Sequence, residues 1–416
     1  MRDRSLTFRA FLVANWRWLT GGVLLTFVSS VGQTFFISLF AGQIRDEFVL
    51  SHGEFGLLYM LATLGSAATL IGLGRFADTV SIGRLAAIWI VALAAAAVLM
   101  AIARHAVFLF LALYCLRLFG QGMLSHTSLV AMGRWFHAER GRAVSVATTG
   151  HQLGEGLLPI AAVASLVLFD WRTVWIIAAI LLLILALPLS QIFLSTPRTP
   201  SAKDLEHFEK GRQWTRAEAI RDPLFWVICS GVLAPAFIGT SVFFHQVHLA
   251  QIKMWAPSVV AGSFALMSVF SVCVGLATGQ LIDRYSARSV LPYFLFPLSI
   301  GCALLGVFTP ALVMPVFMAL LGTSFGLSSA VFGAIWPEIY GTRHLGSVRS
   351  VVSAAMVFAS ALGPGLTGWL IDVEVGFETQ LLYMSAYCIV MMTILMYVSQ
   401  VLKRRDQCTS LPSDVY

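Results

Sequence analysis

The chain has 416 residues, of which 58% are hydrophobic and 11% charged, with a mean hydropathy of +0.84. Soluble domains carry about 25% charged residues, so the composition excludes a cytosolic enzyme, a nucleic-acid-binding module and a disordered chain. The formal charge of +7 takes its meaning from where the 27 basic residues lie.

A membrane-crossing helix needs about 20 mostly apolar residues. In chain order, twelve runs meet that requirement: 18–41, 54–74, 85–103, 107–131, 143–168, 173–195, 223–247, 258–281, 290–309, 311–336, 347–370 and 379–401. The runs are long and continuous, unlike the short alternating segments of a β-barrel. The predicted fold is therefore all-α and polytopic. The basic opening MRDRSLTFRA leads into a run of full span length followed by more spans, which is not a cleavable signal-peptide pattern.

Orientation follows from the basic residues. With a cytoplasmic N-terminus, 22 of them fall on the cytoplasmic face and four on the other: Arg45, Arg104, Arg172 and Lys253. Arg117 alone of them lies well inside a span. Both termini are thus expected to be cytoplasmic, in a plasma (inner) membrane, with the lipid bilayer as the surroundings and no nucleic acid as partner. Five of the six cysteines fall within spans and Cys408 in the tail, and none forms a pair at metal-ligand spacing. Neither disulfide, metal nor cofactor is indicated.

The longest polar stretch, residues 196–222, reads as a cytoplasmic linker with room for a short surface helix. It separates an N-terminal bundle (1–195) from a C-terminal bundle (223–402) and a tail (403–416). The halves repeat at a fixed offset of 205 residues. Gly74 and Asp78 after the second span map onto Gly279 and Asp283 after the eighth, Gly141 onto Gly346, and Pro159 onto Pro364. Several matches at one offset point to duplication.

Six plus six helices with Gly-x-x-x-Asp in both equivalent loops resemble the major facilitator superfamily. The resemblance covers essentially the whole chain and implies twelve transmembrane helices in two pseudo-symmetric six-helix bundles. In that family the loop continues Asp-Arg-x-Gly-Arg. Here Asp78 is followed by Thr79 and the Gly83-Arg84 pair arrives two residues late, while Asp283-Arg284 fits but Ser286 replaces the glycine. The resemblance implies a conformational latch built from Gly74, Asp78, Arg84, Gly279, Asp283 and Arg284, in which an Asp pairs with Arg residues and caps a helix N-terminus.

A charge at the bilayer centre costs about 2.5–3.5 kcal/mol or more, so an intramembrane ionisable residue signals function. Of 47 charged residues, only Arg117 in the fourth run and Glu155 in the fifth lie well inside spans, both near mid-membrane. They are expected to approach each other directly, through water or through a substrate. At offset 205 they map onto Gly322 and Ser360, so the duplicated scaffold does not need them. Arg117-Leu-Phe-Gly-Gln121-Gly122 resembles the family's Arg-x-x-Gln-Gly motif displaced by one residue. His151 and Glu155 share a helix face four residues apart and form the expected proton-coupling pair. The plainer alternative for Arg117 and Glu155 is a structural ion pair.

Spans 1, 4, 7 and 10 line the central cavity in the resembled family. That implies substrate-facing roles for Gln33, Thr34, Arg117, Gln121, His245, Gln246, Ser324 and Ser328. A midplane Arg can grip a carboxylate with two parallel hydrogen bonds. The expected function is therefore secondary active transport of a small organic anion, a carboxylate, by alternating access with proton symport. The protein would work as a monomer, with a small-molecule substrate and H+ as its partners. The Arg-Trp-Phe then Arg-Gly loop after the fourth span resembles the monocarboxylate and oxalate–formate branch over about ten residues. Two readings stay open: a drug–proton antiporter and a membrane sensor that binds without transporting. No Walker-type loop and no nucleophile–base set is present, so neither an ATP-driven pump nor an enzyme is expected.

Overall fold

The computed structural model describes residues 8–73, 76, 80–136, 140–196, 198, 214–341 and 345–409. Among the described residues the regular structure is helical throughout, with no strand. Ten helices are long and apolar enough to cross a membrane, and the pair Thr34–Phe48 and His52–Leu70, bent by 119°, raises the number to 11. The fifth expected segment is a continuous helix, Arg140–Leu166, that does not reach the same apolarity. The physical reason is its content: His151, Gln152, Glu155 and four glycines interrupt the hydrocarbon. The expected count of twelve thus corresponds to ten clear spans, one bent pair and one polar helix.

The chain forms two compact units. One comprises Met1–Leu50 and Leu61–His207, the other Ser51–Met60 and Phe208–Tyr416. In the first unit, the helix Phe8–Ser29 packs against the fourth and fifth segments. Glycines permit that closeness: a Cβ on Gly150 would lie 2.0 Å from Val23 O, and one on Gly32 would lie 2.1 Å from Leu116 O. In the second unit, Ser51–Met60 packs on the end of the helix Leu345–Asp372. Gly53, Gly56, Gly365 and Gly368 bring the two backbones together, with Gly56 against Pro364 O and Gly368 against His52 O. Asp372 Oδ2 then accepts from Ser51 Oγ at 2.7 Å and from Gly53 N at 2.8 Å, capping the helix that starts at His52.

The 205-residue repeat extends to backbone detail. Phe40 (φ −97°, ψ 4°) and His245 (φ −94°, ψ 14°) each kink the first segment of their unit before a short helix, Ala41–Phe48 or Gln246–Ile252. Val49 (φ 54°) and Met254 (φ 56°) then turn both chains through the left-handed region. These pairs sit 205 residues apart, so the kinks belong to the duplicated scaffold.

At the opposite end of the second unit, the short helix expected in the polar stretch is Arg216–Arg221, held by a capping box between Thr215 and Glu218. Trp214 packs edge-on against Tyr340, whose hydroxyl donates to Asp222 Oδ2 at 3.2 Å. Arg405 reaches the same carboxylate at 3.0 Å and lies over the Trp214 ring. Of the expected latch residues, Gly74, Asp78 and the Asp283 side chain lie outside the described residues. Arg84 and Arg284 are exposed, Arg284 lying 5.3 Å from the ring of Tyr285, and Gly279 faces open space. The capping described at this end comes from Glu338, which accepts from Ala287 N at 2.9 Å and pairs with Arg288.

Candidate functional site

The first segment of the first unit is not one helix. It runs helically through Ser29, tightens to a 3₁₀ turn over Ser30–Gly32, then breaks at Gln33, which is extended (φ −88°, ψ 156°). Helix resumes at Thr34–Ile37; the residues on either side of the break are buried and Gln33 itself is half-buried. The repeat offers no counterpart: the position 205 residues on, Ile238, lies inside the continuous helix Pro223–Phe244. A helix interruption deep in an apolar bundle persists only where other groups satisfy its backbone.

Arg117 satisfies one such group, the Gly32 carbonyl. Its Nη1 donates to Gly32 O and to Thr34 Oγ1, both at 3.3 Å, and its Nε donates to Thr63 Oγ1 at 3.2 Å. The side chain is 1% exposed, so it relies on such acceptors in place of water. Local backbone contributes as well. Arg117 and Gln121 both lie in a π-helical stretch, Leu116–Leu124, between the helices Ala106–Cys115 and Ser125–Trp135. Wide π turns are uncommon and recur at functional sites. Gly120 in this stretch lets the first segment come close, since a Cβ there would sit 2.6 Å from Gly32 Cα.

The fifth segment completes the cluster. Glu155 is buried, and its Oε1 lies 3.4 Å from His151 Nε2 on the same helix face. The His151 ring lies 5.9 Å from Phe35, two residues past the break. Gly154 meets Ser30 directly. Arg117 and Glu155 each stand eleven residues from the same end of the bundle, counted from Ala106 and Leu166, or about 16 Å at the helical rise. Both flank the broken first segment, Arg117 bonded to Gly32 and Thr34 and Glu155 bonded to His151.

The remaining expected residues, His245, Gln246, Ser324 and Ser328, are in the second unit. His245 Nε2 lies 3.4 Å from Pro364 O, and its ring packs against Phe244, Phe377 and His52. Gln246 is buried beside it. Ser324 Oγ donates to Phe294 O at 2.7 Å and Ser328 Oγ to Ser324 O at 2.6 Å. Sequence reasoning missed Thr63 and the carbonyl of Gly32. Thr63 sits among Leu, Ala and Gly with nothing in its neighbourhood to mark it, and a backbone acceptor has no sequence signature at all.

A Major Facilitator Superfamily profile matches residues 22–249 and 236–409. The chain belongs to the major facilitator superfamily. Members of this superfamily are transporters rather than enzymes, and this one is a multi-pass integral membrane protein. Its fold is similar to crystal structures of a bacterial homologue of the human lysosomal transporter Spinster. The inward-facing, unoccupied form superposes with a TM-score of 0.70 at 16% identity, covering 96% of this chain and 98% of that one. A mutant of the nucleoside transporter NupG gives a TM-score of 0.67 at 14% identity, covering 92% and 99%. Among curated sequences, the hexuronate transporter of Bacillus subtilis is 24% identical over 278 residues, 61% of this chain and 64% of its own length. An uncharacterised protein of Mycobacterium tuberculosis is 25% identical over 154 residues, 36% of this chain, and the match spans 37% of that protein.

Proposed function

We propose that this major facilitator superfamily transporter moves a small organic anion, a carboxylate, across the plasma membrane by alternating access with proton symport. Arg117 carries the reading. It is a buried, permanently charged fork at mid-bundle, held by two hydroxyls and one carbonyl that a carboxylate can replace. The His151–Glu155 pair stands on the neighbouring helix as a group able to take up one proton when an anion changes the local charge. The hexuronate transporter relative supports an acid as cargo, and hexuronates head the substrates to try. The distribution of basic residues, 22 against four, supports cytoplasmic termini.

The test is uptake of glucuronate and a panel of simple organic acids into proteoliposomes, with and without an inward proton gradient. Accumulation driven by the gradient, abolished by Arg117→Gln and strongly reduced by Arg117→Lys, is the expected result. Organic-anion uptake untouched by Arg117→Gln overturns the carboxylate reading. Gradient-driven extrusion of an apolar cation would place the protein with the drug–proton antiporters instead. Ligand-induced stabilisation without counterflow would make it a sensor.

A further inference from the structure

The guanidinium of Arg117 is held on two edges by two different segments. Nε bonds to Thr63 on the helix His52–Leu73, while Nη1 is shared between Gly32 and Thr34 on either side of the break at Gln33. A carboxylate binding in bidentate fashion needs two N–H groups on one edge of the fork. On the Nε edge it competes with Thr63, and on the Nη edge it competes with Gly32 and Thr34.

The local structures decide between these. Thr63 lies in an uninterrupted helix and is 1% exposed, and its β-branched side chain has few rotamers to retreat into. Gly32 ends one turn and Thr34 begins the next, on either side of a point where the helical ladder is already interrupted, so they can move apart without breaking a continuous helix. Nη1 meets both of them at 3.3 Å, longer than the best charge-assisted bonds, against 3.2 Å between Nε and Thr63. The repeat agrees. At offset 205 from Thr63, Ser268 turns its hydroxyl back to Phe264 O in its own helix, and Gly322 replaces Arg117.

We infer that Thr63 is a positioning residue. It anchors Arg117 through Nε while the substrate carboxylate takes the Nη edge and displaces Gly32 and Thr34. Arrival of the anion thereby frees the broken first segment, and Arg117 relays substrate occupancy to that hinge. This rests on the carboxylate reading given above, whereas the hold of Thr63 on Arg117 stands without it.

Two measurements on the full-length protein separate the parts. Hydrogen exchange over residues 28–40 is followed without ligand in the native chain, Thr63→Val and Thr63→Ser. Thr63→Val, which keeps shape and loses the acceptor, is expected to speed exchange at 32–37 about tenfold, the loss of one charged hydrogen bond. Thr63→Ser is expected to match the native chain. Equal exchange in native and Thr63→Val protein overturns the anchoring role, whatever the substrate. Glucuronate is then added to the native and Thr63→Ser chains, where it is expected to raise exchange at 32–37. Slower or unchanged exchange overturns the displacement. In uptake, Thr63→Val should raise KM about tenfold at near-native maximal rate, with Thr63→Ser restoring it. A native KM in Thr63→Val together with loss of uptake in Arg117→Gln sinks the inference and leaves the carboxylate reading standing. Uptake indifferent to Arg117 sinks that reading itself.

Discussion

Arg117 Nη1 lies 3.3 Å from the carbonyl oxygen of Gly32, at the point where the first membrane segment stops being a helix. One buried cation thus stabilises an irregular backbone that the duplicated half of the protein lacks. Discontinuous helices at mid-membrane are where transporters of several folds place their substrates. The break and the charge occur together in the first unit and are both missing from the repeat, where Ile238 is helical and Gly322 stands for Arg117. Their joint occurrence separates the site from the scaffold around it.

Glu155→Gln should uncouple the protein. The amide keeps the size of the carboxyl and removes the group paired with His151 at 3.4 Å. Gradient-driven accumulation is expected to fall to the level of simple equilibration, while exchange of substrate across the membrane continues. Paired uptake and counterflow assays read the two separately. Full accumulation in Glu155→Gln would remove this residue from proton handling.

The close approach of the first and fourth segments makes a stability prediction. An alanine Cβ at position 32 would lie 2.1 Å from Leu116 O and 2.8 Å from Gly120 Cα, both backbone atoms that must shift. Gly32→Ala is expected to destabilise by about 1–3 kcal/mol, as overpacking does. Gly333 has nothing within 4 Å of such a Cβ. Gly333→Ala should therefore be neutral or stabilise by up to about 1 kcal/mol through helix propensity. Thermal unfolding in detergent compares the two directly.

Ser286 sits at φ 74°, ψ 153°, a conformation open essentially to glycine alone. It is also the position where the superfamily's loop motif carries glycine and this chain does not. Ser286→Gly is expected to stabilise by about 1 kcal/mol. A melting temperature unchanged or lowered by this substitution would show that the turn relaxes around serine.

Asp372 caps the helix starting at His52 through Ser51 and Gly53. Because the carboxylate is exposed, Asp372→Ala should cost only ~0.5–1 kcal/mol. The effect should be local, with faster amide exchange at residues 53–56 and none over the first segment. Exchange that rises in both places would mean that the cap also supports the Arg117 site.

The sequence by itself determined that the chain is helical, membrane-spanning and duplicated, because those properties rest on counts: apolar run lengths, the sidedness of arginine and lysine, and matches at one offset. It also isolated Arg117 and Glu155, since a charge inside an apolar run is conspicuous in one dimension. Run length also placed the fifth segment, which is the helix Arg140–Leu166, although its polar residues bring it below the apolarity of a lone span. Tertiary structure alone decided what Arg117 touches. Thr63 is 54 residues away along the chain and the Gly32 carbonyl 85, and neither differs in sequence from the ordinary residues around it. The break at Gln33 belongs to the same class. No proline marks it, and the Gly32 carbonyl beside it takes its hydrogen bond from a cation on another helix.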